Sequence, residues 1–521
     1  MGFLQLLALI SLAYPLYQYF FNTVRVKLPP GPKPWPILGN ITDLPPKGIP
    51  EYQHWIKHKD TYGPISSVTV LGKSMIILHD REAVQELLEK KSLKTSSRPW
   101  LEFASRLCDF GRFTTLQPYN DTLRRHRKFM HQQLGTKTLV AQYNHTQETE
   151  TGRLLLRLLD DPQNLIQHLK TEAGAVILKI TYGYTIEPKA IDPLVTLIER
   201  MMVNLSATFM PLASAVDLIP PLKHLPGWFP GASFKRAAVE VKKVNDAVTD
   251  VPYDFVHRQM ANHTHTPSYV SRLVEQLAGE GQRLDVSTEN IIKYSAGILY
   301  AGGSDTTVSS LSSLALAMLK FPKVQHKAQN EIDNITSQNR LPYFDDRPKL
   351  PYINAVVKEI LRWFPVTPLG MSHTVDEDII FKDYLIPKGA ILLPAVRWLL
   401  HDPQVYENPE VFDPSRYLPP RNEPDPALVA FGFGRRVCPG RFLADSSLFI
   451  NTAQLLATFE FKKAHDDMGR EIEPRVRSEA GLIDHPVEFP YRLEPRSEKH
   501  AELVRGIADS QPWEQSNAND L

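Results

Sequence analysis

The stretch Phe431–Gly440, which reads F-G-F-G-R-R-V-C-P-G, constrains this chain more than any other. It holds Cys438, one of only two cysteines in 521 residues, within a loop that contains three glycines. Apolar residues recur at helical spacing from residue 441 to 459, so the cysteine lies where a loop enters a helix. Backbone N–H groups and the helix dipole favour a thiolate at such a position. A thiolate in a loop that can approach a flat group closely suits an axial ligand of heme iron.

The neighbouring residues fit the same interpretation. Gly434 and Gly440 have no Cβ, so the backbone there can approach a porphyrin. Arg436 supplies a positive charge for a propionate, and Phe431 supplies an apolar wall beside the sulfur. The alternative for Cys438 is a buried structural thiol, which is the usual state of a lone cysteine. Zinc and iron–sulfur sites need more thiolates than the two cysteines of this chain supply.

These ten residues match F-x-x-G-x-R-x-C-x-G, the heme-binding signature of the cytochrome P-450 monooxygenases, at all five fixed positions. On this motif the chain resembles that family. The resemblance implies a mainly α fold with a small β lobe (α+β), and heme b (iron protoporphyrin IX) between a long central helix and the loop that carries Cys438. It also implies NADPH-derived electrons, delivered by cytochrome P-450 reductase alone or together with cytochrome b5.

The first residues of the chain differ in composition from the rest. Gly2–Phe21 has no charged residue and is about long enough to cross a bilayer. Aromatic residues crowd its far end and Arg25 and Lys27 follow, which by the positive-inside rule keeps the remaining chain cytosolic. A cleaved signal peptide is the alternative, but the segment has no basic start and ends in bulky residues. We predict a single transmembrane anchor over residues 2–21, which the resemblance assigns to the endoplasmic reticulum.

Proline dominates the next segment, residues 22–40, which includes L-P-P-G-P-K-P-W-P-I-L-G-N. This density excludes a helix and favours stiff extended chain, so we predict a hinge that holds a catalytic domain, residues 41–495, at a fixed offset from the membrane. Apolar periodicity fades over residues 496–521, which predicts a polar, loosely ordered tail. The net charge of +1, from 59 basic and 58 acidic residues, argues against a nucleic-acid partner.

Periodicity within the catalytic domain predicts many amphipathic helices and few strands. Residues 65–79 read as two strands joined at Gly72 and Lys73, and strand-like residues return between positions 379 and 393. A long helical run covers about residues 288–320 and contains A-G-G-S-D-T-T at positions 301–307. The sequence therefore predicts an α-rich lobe beside a small sheet lobe.

Two adjacent glycines in the middle of that long helix cost about 1 kcal/mol each relative to alanine, so something must use the space they leave. A helix–helix contact that needs small residues is one explanation. However, Asp305 and Thr306 follow directly, and a carboxylate beside a hydroxyl can pass protons. The resemblance implies an oxygen-binding groove in which a local bulge directs Thr306 inward. Both residues would then supply the protons that cleavage of O2 requires.

Another predicted helix carries Glu359 and Arg362, which lie three residues apart and so share one face. A surface pair of this kind is common and contributes little to stability. Downstream, F-D-P-S-R-Y at residues 412–417 resembles the P-x-R-F segment of the family, with Tyr417 in place of phenylalanine. The resemblance implies a buried Glu359–Arg362–Arg416 triad that stabilises the layer behind the heme loop and takes no part in the chemistry.

The resemblance also implies contacts with the heme propionates. In the family, a basic helix carries a tryptophan and, four residues later, an arginine that both reach a propionate. Here Arg127 fits the arginine, but Leu123 occupies the tryptophan position. His373, at the end of P-L-G-M-S-H, is a further candidate, with an ordinary surface histidine as the alternative. The other arginines of the basic helix are expected to face solvent, where they can attract an acidic reductase.

By position in the family, the substrate pocket is expected among residues 100–115, 201–215, 299–301, 366–371 and 481–483. Apolar side chains in or near these ranges predict a hydrophobic small-molecule substrate; they include Phe103, Phe110, Phe113, Phe209, Leu369 and Leu482. Residues 217–232 resemble a segment of filamentous-fungal members that act on secondary metabolites, which suggests a polyketide, terpenoid or alkaloid.

Three functions compete at this point. The first is a monooxygenase that inserts one oxygen atom from O2 into a hydrophobic molecule. The second is a heme-thiolate isomerase or dehydratase that acts on peroxides without a reductase. The third is a heme-binding protein without turnover. The Asp305–Thr306 pair favours the first, because an isomerase does not need proton delivery.

Overall fold

The computed structural model describes residues 27–188, 190–209, 214–278 and 284–521. Its helices are, in chain order, α1 (Glu51–Tyr62), α2 (Arg81–Val84), α3 (Ser92–Thr95), α4 (Asp121–Leu134), α5 (Lys137–Ala141), α6 (Asn144–Asp160), α7 (Leu165–Tyr182), α8 (Pro193–Thr208), α9 (Ala215–Leu218), α10 (Ser233–Ala261), α11 (Tyr269–Ala278), α12 (Val286–Lys320), α13 (Pro322–Thr336), α14 (Pro351–Trp363), α15 (Val396–His401), α16 (Ala427–Ala430), α17 (Arg441–Thr458) and α18 (Glu498–Ser510). Its strands are β1 (Ile65–Val70), β2 (Lys73–Leu78), β3 (His373–Thr374), β4 (Ile379–Phe381), β5 (Tyr384–Ile386), β6 (Ile391–Pro394), β7 (Phe459–Lys463) and β8 (Tyr491–Pro495). This content confirms the predicted mainly α fold with a small β lobe.

The largest sheet has the strand order β1-β2-β6-β3. β1 and β2 form the predicted hairpin, with Ile65 opposite Leu78 and Val70 opposite Lys73. Its turn contains Gly72, whose positive φ of 80° is a conformation that glycine adopts without strain. β6 then pairs parallel with β2 and antiparallel with β3, so residues from distant parts of the sequence meet in this sheet. Two separate two-stranded sheets, β4-β5 and β7-β8, complete the β content of the described residues.

Helix α12 is the centre of the fold. Asp285 caps it by accepting a hydrogen bond from the N–H of Thr288, and it then runs 35 residues without a break. Apolar and small residues are buried around most of its circumference, as expected for a helix that lies inside a protein. Its first half belongs to a core with α7, α8, α10 and α11, and its second half to a core with α6, α14 and α17. The site described below lies where these cores meet.

The proline-rich segment lies along the sheet. The N–H of Ser67 on β1 donates to the carbonyl of Pro30 at 2.8 Å, and the N–H of Asn40 donates to the carbonyl of Thr69 at 2.6 Å. No helix forms between residues 28 and 40, as the prolines predict. The predicted anchor, residues 2–21, lies outside the described residues. Among the residues that are described, no helix has the length and apolar character needed to cross a membrane.

The C-terminal segment differs from the expectation of a loosely ordered tail. α18 packs against α6, and Ala501, Val504 and Ile507 are buried on its inner face. Beyond the helix, the guanidinium groups of Arg153 and Arg157 lie 5.3 and 5.0 Å from the ring centroid of Trp513. The prediction was wrong because the few apolar residues of this polar segment lie on one face and pack against α6, which stabilises the helix.

Candidate active site

A cavity of about 330 Å³ lies between α12 and the loop that carries Cys438. On one side it is lined by Gly302, Gly303 and Thr306 of α12, and on the other by Phe431, Cys438 and Gly440 of the loop. Apolar residues line the remaining walls; they come from α7, α8, α12 and α17 and from the loops that follow α14 and β7. The structure thus brings together the two most distinctive motifs of the sequence, which lie more than a hundred residues apart along the chain. Cys108 is buried elsewhere and does not line this cavity.

The backbone of the loop fixes the position of the Cys438 side chain. The N–H of Cys438 donates to the carbonyl of Phe431 at 2.8 Å, and α17 begins three residues later, at Arg441. Burial raises the pKa of the Cys438 thiol, although the N–H of Gly440 and the charges of Arg127 and Arg441 act in the opposite direction. The backbone N–H thus favours a thiolate, as the loop predicts, and burial opposes it. Coordination to a metal would hold the thiolate, because a coordinating thiol loses its proton outright.

The two predicted loop glycines have different roles. Gly440 lines the cavity, and a Cβ at this position would lie 3.9 Å from the sulfur of Cys438. Gly434 does not line the cavity. Its φ is +54°, a Cβ there would overlap the carbonyl oxygen of Leu88, and its N–H donates to Glu89 at 2.8 Å. A glycine is needed at position 434 so that the loop can pack against the segment that follows α2. The expected approach to a porphyrin does not explain this glycine.

Three arginines line one end of the cavity: Arg98 and Arg436 are buried, and Arg127 is half-buried. Arg127 donates to the carbonyl of Val437 at 2.8 Å, and Arg98 donates to the carbonyls of Thr115, Met371 and Ser372. Arg436 likewise donates to the carbonyls of Ser96, Thr114 and Gln117. None of the three forms an ion pair with a carboxylate in the described part of the chain.

This arrangement of like charges is unfavourable by itself. Burial and the charges of Arg436 and Arg127 hold the pKa of Arg98 well below its usual value. Burial and the charge of Arg127 lower the pKa of Arg436 to about 9. Buried charges in proteins are normally paired, so a cluster of unpaired guanidinium groups indicates an anionic ligand. Sequence analysis missed Arg98, because it lies in S-S-R-P-W, which matches no part of the heme signature.

His373 and Leu123 are both buried. A ring nitrogen of His373, Nδ1, lies 2.7 Å from the carbonyl of Thr95, and the side chain reaches the cavity wall, so the surface alternative was wrong. Burial and the positive charge of Arg98 hold the pKa of His373 well below its ordinary value. Leu123 is packed in the interior and does not line the cavity. It has no donor to replace the tryptophan of the family pattern.

The two adjacent glycines of α12 have different roles, one in a helix–helix contact and one at the cavity. A Cβ at Gly303 would lie 2.6 Å from Cγ1 of Ile177 on α7, so this glycine serves a helix–helix contact. A Cβ at Gly302 would meet no atom within 4 Å, because this glycine faces the cavity. The expected bulge is not present, since the helix is continuous here. The hydroxyl of Thr306 donates to the carbonyl of Gly302 at 2.6 Å and lies at the cavity wall.

Asp305, the other predicted proton donor, is not among the residues that line the cavity. Its Oδ1 lies 3.2 Å from Nε2 of His485, in the segment between β7 and β8. Both side chains are 23% exposed. Sequence analysis did not identify His485, because no sequence motif links it to α12.

The three residues of the predicted triad lie in contact and fully buried. Glu359 accepts two hydrogen bonds of 2.8 Å from Arg362 and one of 3.1 Å from Arg416. The hydroxyl of Tyr417 donates to the same carboxylate at 2.9 Å, and the N–H of Asp413 donates at 2.8 Å. Tyrosine at position 417 thus adds a hydrogen bond that phenylalanine would lack.

The cavity lining is mostly apolar, but its residues differ from several that were expected. Leu482 lines the cavity as predicted, whereas Phe103, Phe110, Phe113, Phe209 and Leu369 do not. Phe110 and Phe113 are buried in the core and pack against each other, 6.1 Å apart. Other apolar residues line the cavity: Met202, Leu205 and Ile483 come from the expected ranges 201–215 and 481–483, whereas Val176, Ile177 and Ile298 lie outside the expected ranges.

Comparison with known families decides the identity of this site. A sequence model of the cytochrome P450 family matches residues 29–489. The chain is a cytochrome P450. It is 49% identical to cytochrome P450 monooxygenase CLM2 of Gibberella zeae, over 96% of each chain. It is 48% identical to the multifunctional cytochrome P450 monooxygenase af510 of Aspergillus fumigatus, over 96% of this chain and 94% of that one. It is 38% identical to the O-methylsterigmatocystin oxidoreductase of Aspergillus flavus, over 95% and 93%.

Membership of this family implies heme, and the residues present fit that group. The cavity offers one thiol, a glycine wall on the opposite side and a cluster of unpaired guanidinium groups at one end. These features match a flat macrocycle with one axial sulfur ligand and two carboxylate side chains. The described residues contain no group of three or more His, Cys, Asp or Glu that could bind a metal ion in another way. The cytochrome P450 described here is a heme-thiolate monooxygenase.

Proposed function

We propose that this P450 inserts one oxygen atom from O2 into an apolar small molecule, with electrons that come from NADPH through cytochrome P450 reductase. The observation that supports the substrate class most directly is the lining of the cavity, in which aliphatic side chains outnumber polar ones. Apolar pockets with a few polar groups bind apolar ligands and orient them. Hydroxylation and epoxidation are both compatible with such a site.

We assign the heme contacts residue by residue. Cys438 would hold the iron through its sulfur, and Gly440 would leave space beside it. Arg98, Arg127 and Arg436 would hold the propionates, so that Arg98 would supply the donor that is missing at Leu123. His373 would be a further propionate contact, and an anion there would raise its pKa. Phe431, on the same loop, would supply an apolar wall beside the sulfur.

Bound heme supplies the activation of O2, and the protein must supply protons at the opposite side of the cavity. We assign this task to Thr306, whose hydroxyl lies at the cavity wall, and to Asp305 beside it. While the hydroxyl donates its proton to the carbonyl of Gly302 at 2.6 Å, its oxygen can accept a hydrogen bond from the cavity; to donate into the cavity it must first turn away from that carbonyl. Glu359, Arg362 and Arg416 have no part in this chemistry and stabilise the fold behind the loop.

Electron delivery requires a partner. Arg124, Lys128 and Arg435 are exposed on the surface outside the Cys438 loop. Basic residues at this position favour an acidic electron donor, which we take to be the reductase, alone or with cytochrome b5. We further propose that residues 2–21 anchor the protein in the endoplasmic reticulum membrane and that residues 22–40 connect the anchor to a cytosolic catalytic domain, residues 41–495. The helix α18, Glu498–Ser510, packs against that domain and extends it beyond residue 495.

The relatives suggest a pathway class. One similar protein is named an O-methylsterigmatocystin oxidoreductase, and another a multifunctional monooxygenase. Together with the resemblance of residues 217–232, this supports a role in tailoring a fungal secondary metabolite.

The proposal can be tested with the full-length protein in membranes together with its reductase. Candidate terpenoids and polyketides are screened for a shift of the Soret band toward shorter wavelength, which reports substrate entry. Each hit is then incubated with NADPH under ¹⁸O2. We expect one ¹⁸O atom in the product and none when the reductase is omitted. Conversion of a lipid peroxide without reductase or O2 would favour the isomerase instead.

A further inference from the structure

A second, smaller cavity adjoins the one described above. It has a volume of about 40 Å³, and Gly370 and Leu482 line both cavities, so the two are neighbours. Its walls come mainly from the start of α1, from the segment between α14 and β3 and from the segment between β7 and β8. We call it the annex; its polar lining residues are Glu51, Tyr52, Ser372, Glu479 and Asp484.

Asp484 is held in place with one oxygen of its carboxylate free. The residue is 4% exposed, and its N–H donates to the carbonyl of Val366 at 2.8 Å. Its Oδ2 accepts a hydrogen bond of 2.9 Å from the hydroxyl of Ser478, which lies 2.9 Å from the hydroxyl of Tyr52. Oδ1 is buried and has no hydrogen-bond partner in the described part of the chain. Because the other contacts fix the side chain, this oxygen is available to a ligand.

Ser372 contributes a second buried group without a partner. It is 2% exposed, and its carbonyl accepts a hydrogen bond of 2.7 Å from Arg98. Its hydroxyl, however, has no hydrogen-bond partner among the described residues. A buried polar atom without a partner costs free energy, so such atoms are rare in folded proteins. Two of them on residues that line the same small cavity indicate that a polar group occupies it.

The charge of the annex indicates which kind of polar group this is. Glu51, Glu479 and Asp484 line the annex, and no lysine, arginine or histidine of the described ranges does. Arg397 and His485 act on Asp484 only from outside the lining. Burial raises the pKa of Glu51 and that of Asp484 to about 7 each, because charged carboxylates are poorly solvated there. A cation in the annex would favour their charged forms.

We propose that the annex binds a protonated primary amine of the substrate, while the apolar body of the same molecule occupies the larger cavity. An ammonium group donates three hydrogen bonds, which suits Oδ1 of Asp484, the carboxylate of Glu51 and the hydroxyl of Ser372. A hydroxyl group donates only one and leaves the carboxylates without an opposite charge. The volume of about 40 Å³ accommodates a small terminal group and not a ring. This inference rests on the proposed function, in which the larger cavity holds the substrate.

The position of the annex also determines which end of the substrate is oxidised. No residue of α12 or of the Cys438 loop lines the annex, so a nitrogen held there is away from the heme site. Oxygen is therefore inserted into the apolar body, and the amine is left unchanged. The substrate class is thus an apolar molecule with one basic nitrogen, and an earlier reaction must have introduced that nitrogen.

Decylamine and decanol test this preference, because they share one chain and differ in the terminal group. Calorimetry with the holoenzyme near neutral pH measures the two dissociation constants, and the Soret band reports the orientation. A nitrogen that binds iron moves the band to longer wavelength, whereas displacement of water by the apolar end moves it to shorter wavelength. We expect decylamine to bind about 10- to 100-fold more tightly than decanol, with a shift to shorter wavelength. Equal affinities, or a shift to longer wavelength, would overturn the proposal.

Charge-removing variants assign the preference to the annex. Asp484→Asn keeps the shape of the side chain and an oxygen for Ser478; it should weaken the binding of decylamine about 10-fold and that of decanol less than about twofold. Glu51→Gln should also weaken decylamine selectively, and it carries less risk to folding because the Glu51 side chain has no hydrogen bond within the described residues. An unchanged preference for decylamine in both variants would refute the annex.

Asp217→Asn is a matched control. Asp217 is another buried carboxylate, 3% exposed, and its Oδ2 has no hydrogen-bond partner in the part of the chain that the structure describes. It lines neither the larger cavity nor the annex, so this variant should keep the wild-type preference. Equal losses of decylamine binding in Asp217→Asn and Asp484→Asn would show that the effect is not specific to the annex.

These binding measurements need no reductase, no O2 and no turnover. A protein that binds decylamine and decanol equally well would lack the annex function and could still be a monooxygenase. A protein that makes no oxygenated product would still give a valid comparison of the two ligands. The reduced carbon monoxide spectrum confirms that each variant retains heme.

Discussion

Arg416→Ala tests whether the buried triad stabilises the fold. Arg416 is 1% exposed, and it bonds to Glu359 at 3.1 Å, to Glu423 at 3.3 Å and to the carbonyls of Asn408 and Val411 at 2.9 and 3.0 Å. Glu359, Glu423, Arg362 and Arg416 together carry no net charge. Removal of Arg416 leaves this buried group with a charge of −1, although Arg362 still neutralises Glu359.

The expected cost follows from breaking a buried ion pair by removing one partner, which is about 3–5 kcal/mol. Arg421→Ala is a matched control, because Arg421 also contacts Glu423 but is 30% exposed. A surface pair of this kind contributes about 0–1 kcal/mol. Arg416→Lys keeps the charge without the two-pronged geometry and should fall between the two.

The assay follows the reduced carbon monoxide band, which requires intact heme-thiolate ligation, during urea unfolding and after incubation at a raised temperature. Arg416→Ala should lose the band at much lower urea concentration than the wild type, or should be purified without heme. Arg421→Ala should follow the wild type closely. If Arg416→Ala were as stable as Arg421→Ala, the structural role of the triad would be refuted. A well-folded but slow Arg416→Ala enzyme would place this residue in the chemistry.

Three further predictions address α12 and the N-terminus. Gly303→Ala should destabilise the protein by about 1–3 kcal/mol through overpacking against Ile177. Gly302→Ala should stabilise it by about 1 kcal/mol, because alanine favours a helix interior over glycine, and should alter substrate binding; urea unfolding and Soret titrations measure the two effects. Thr306→Ala should bind heme and substrate but release hydrogen peroxide in place of product; an unchanged ratio of product to NADPH would show that Thr306 is misassigned. Deletion of residues 2–21 should release much of the protein from membranes with its heme spectrum intact, and loss of heme would instead make the segment part of the fold.

Much of the architecture could be predicted because local signals agreed with the tertiary structure. The hairpin around Gly72, the long helix α12 and the helix after Cys438 all follow from periodicity and turn residues. The C-terminal helix was missed because only a few of its residues are apolar. Its stability comes from packing against α6, and the sequence of the segment does not reveal that contact.

The site was predictable where one short motif carries the chemistry and less so where distant segments meet. Cys438, Arg436 and Gly440 line the cavity as expected. Arg98 and His485 were missed because each acquires its role only when the fold brings it near another segment. Gly434 was identified from the motif, but its expected role was wrong, because the glycine is required by close contact with the backbone of Leu88 and not by a porphyrin. The phenylalanines expected in the cavity lining do not line it, because an equivalent position in the family sequence does not determine where a side chain points.

The central claim is that Cys438 is the axial ligand of heme iron, and the reduced carbon monoxide spectrum tests it most directly. Strong donation from a thiolate to iron moves the Soret band to an unusually long wavelength. We predict this band for the wild type and for Cys108→Ser, because Cys108 is buried away from the cavity. Cys438→Ser should lose it. Retention of the band in Cys438→Ser, or its loss in Cys108→Ser alone, would contradict the account.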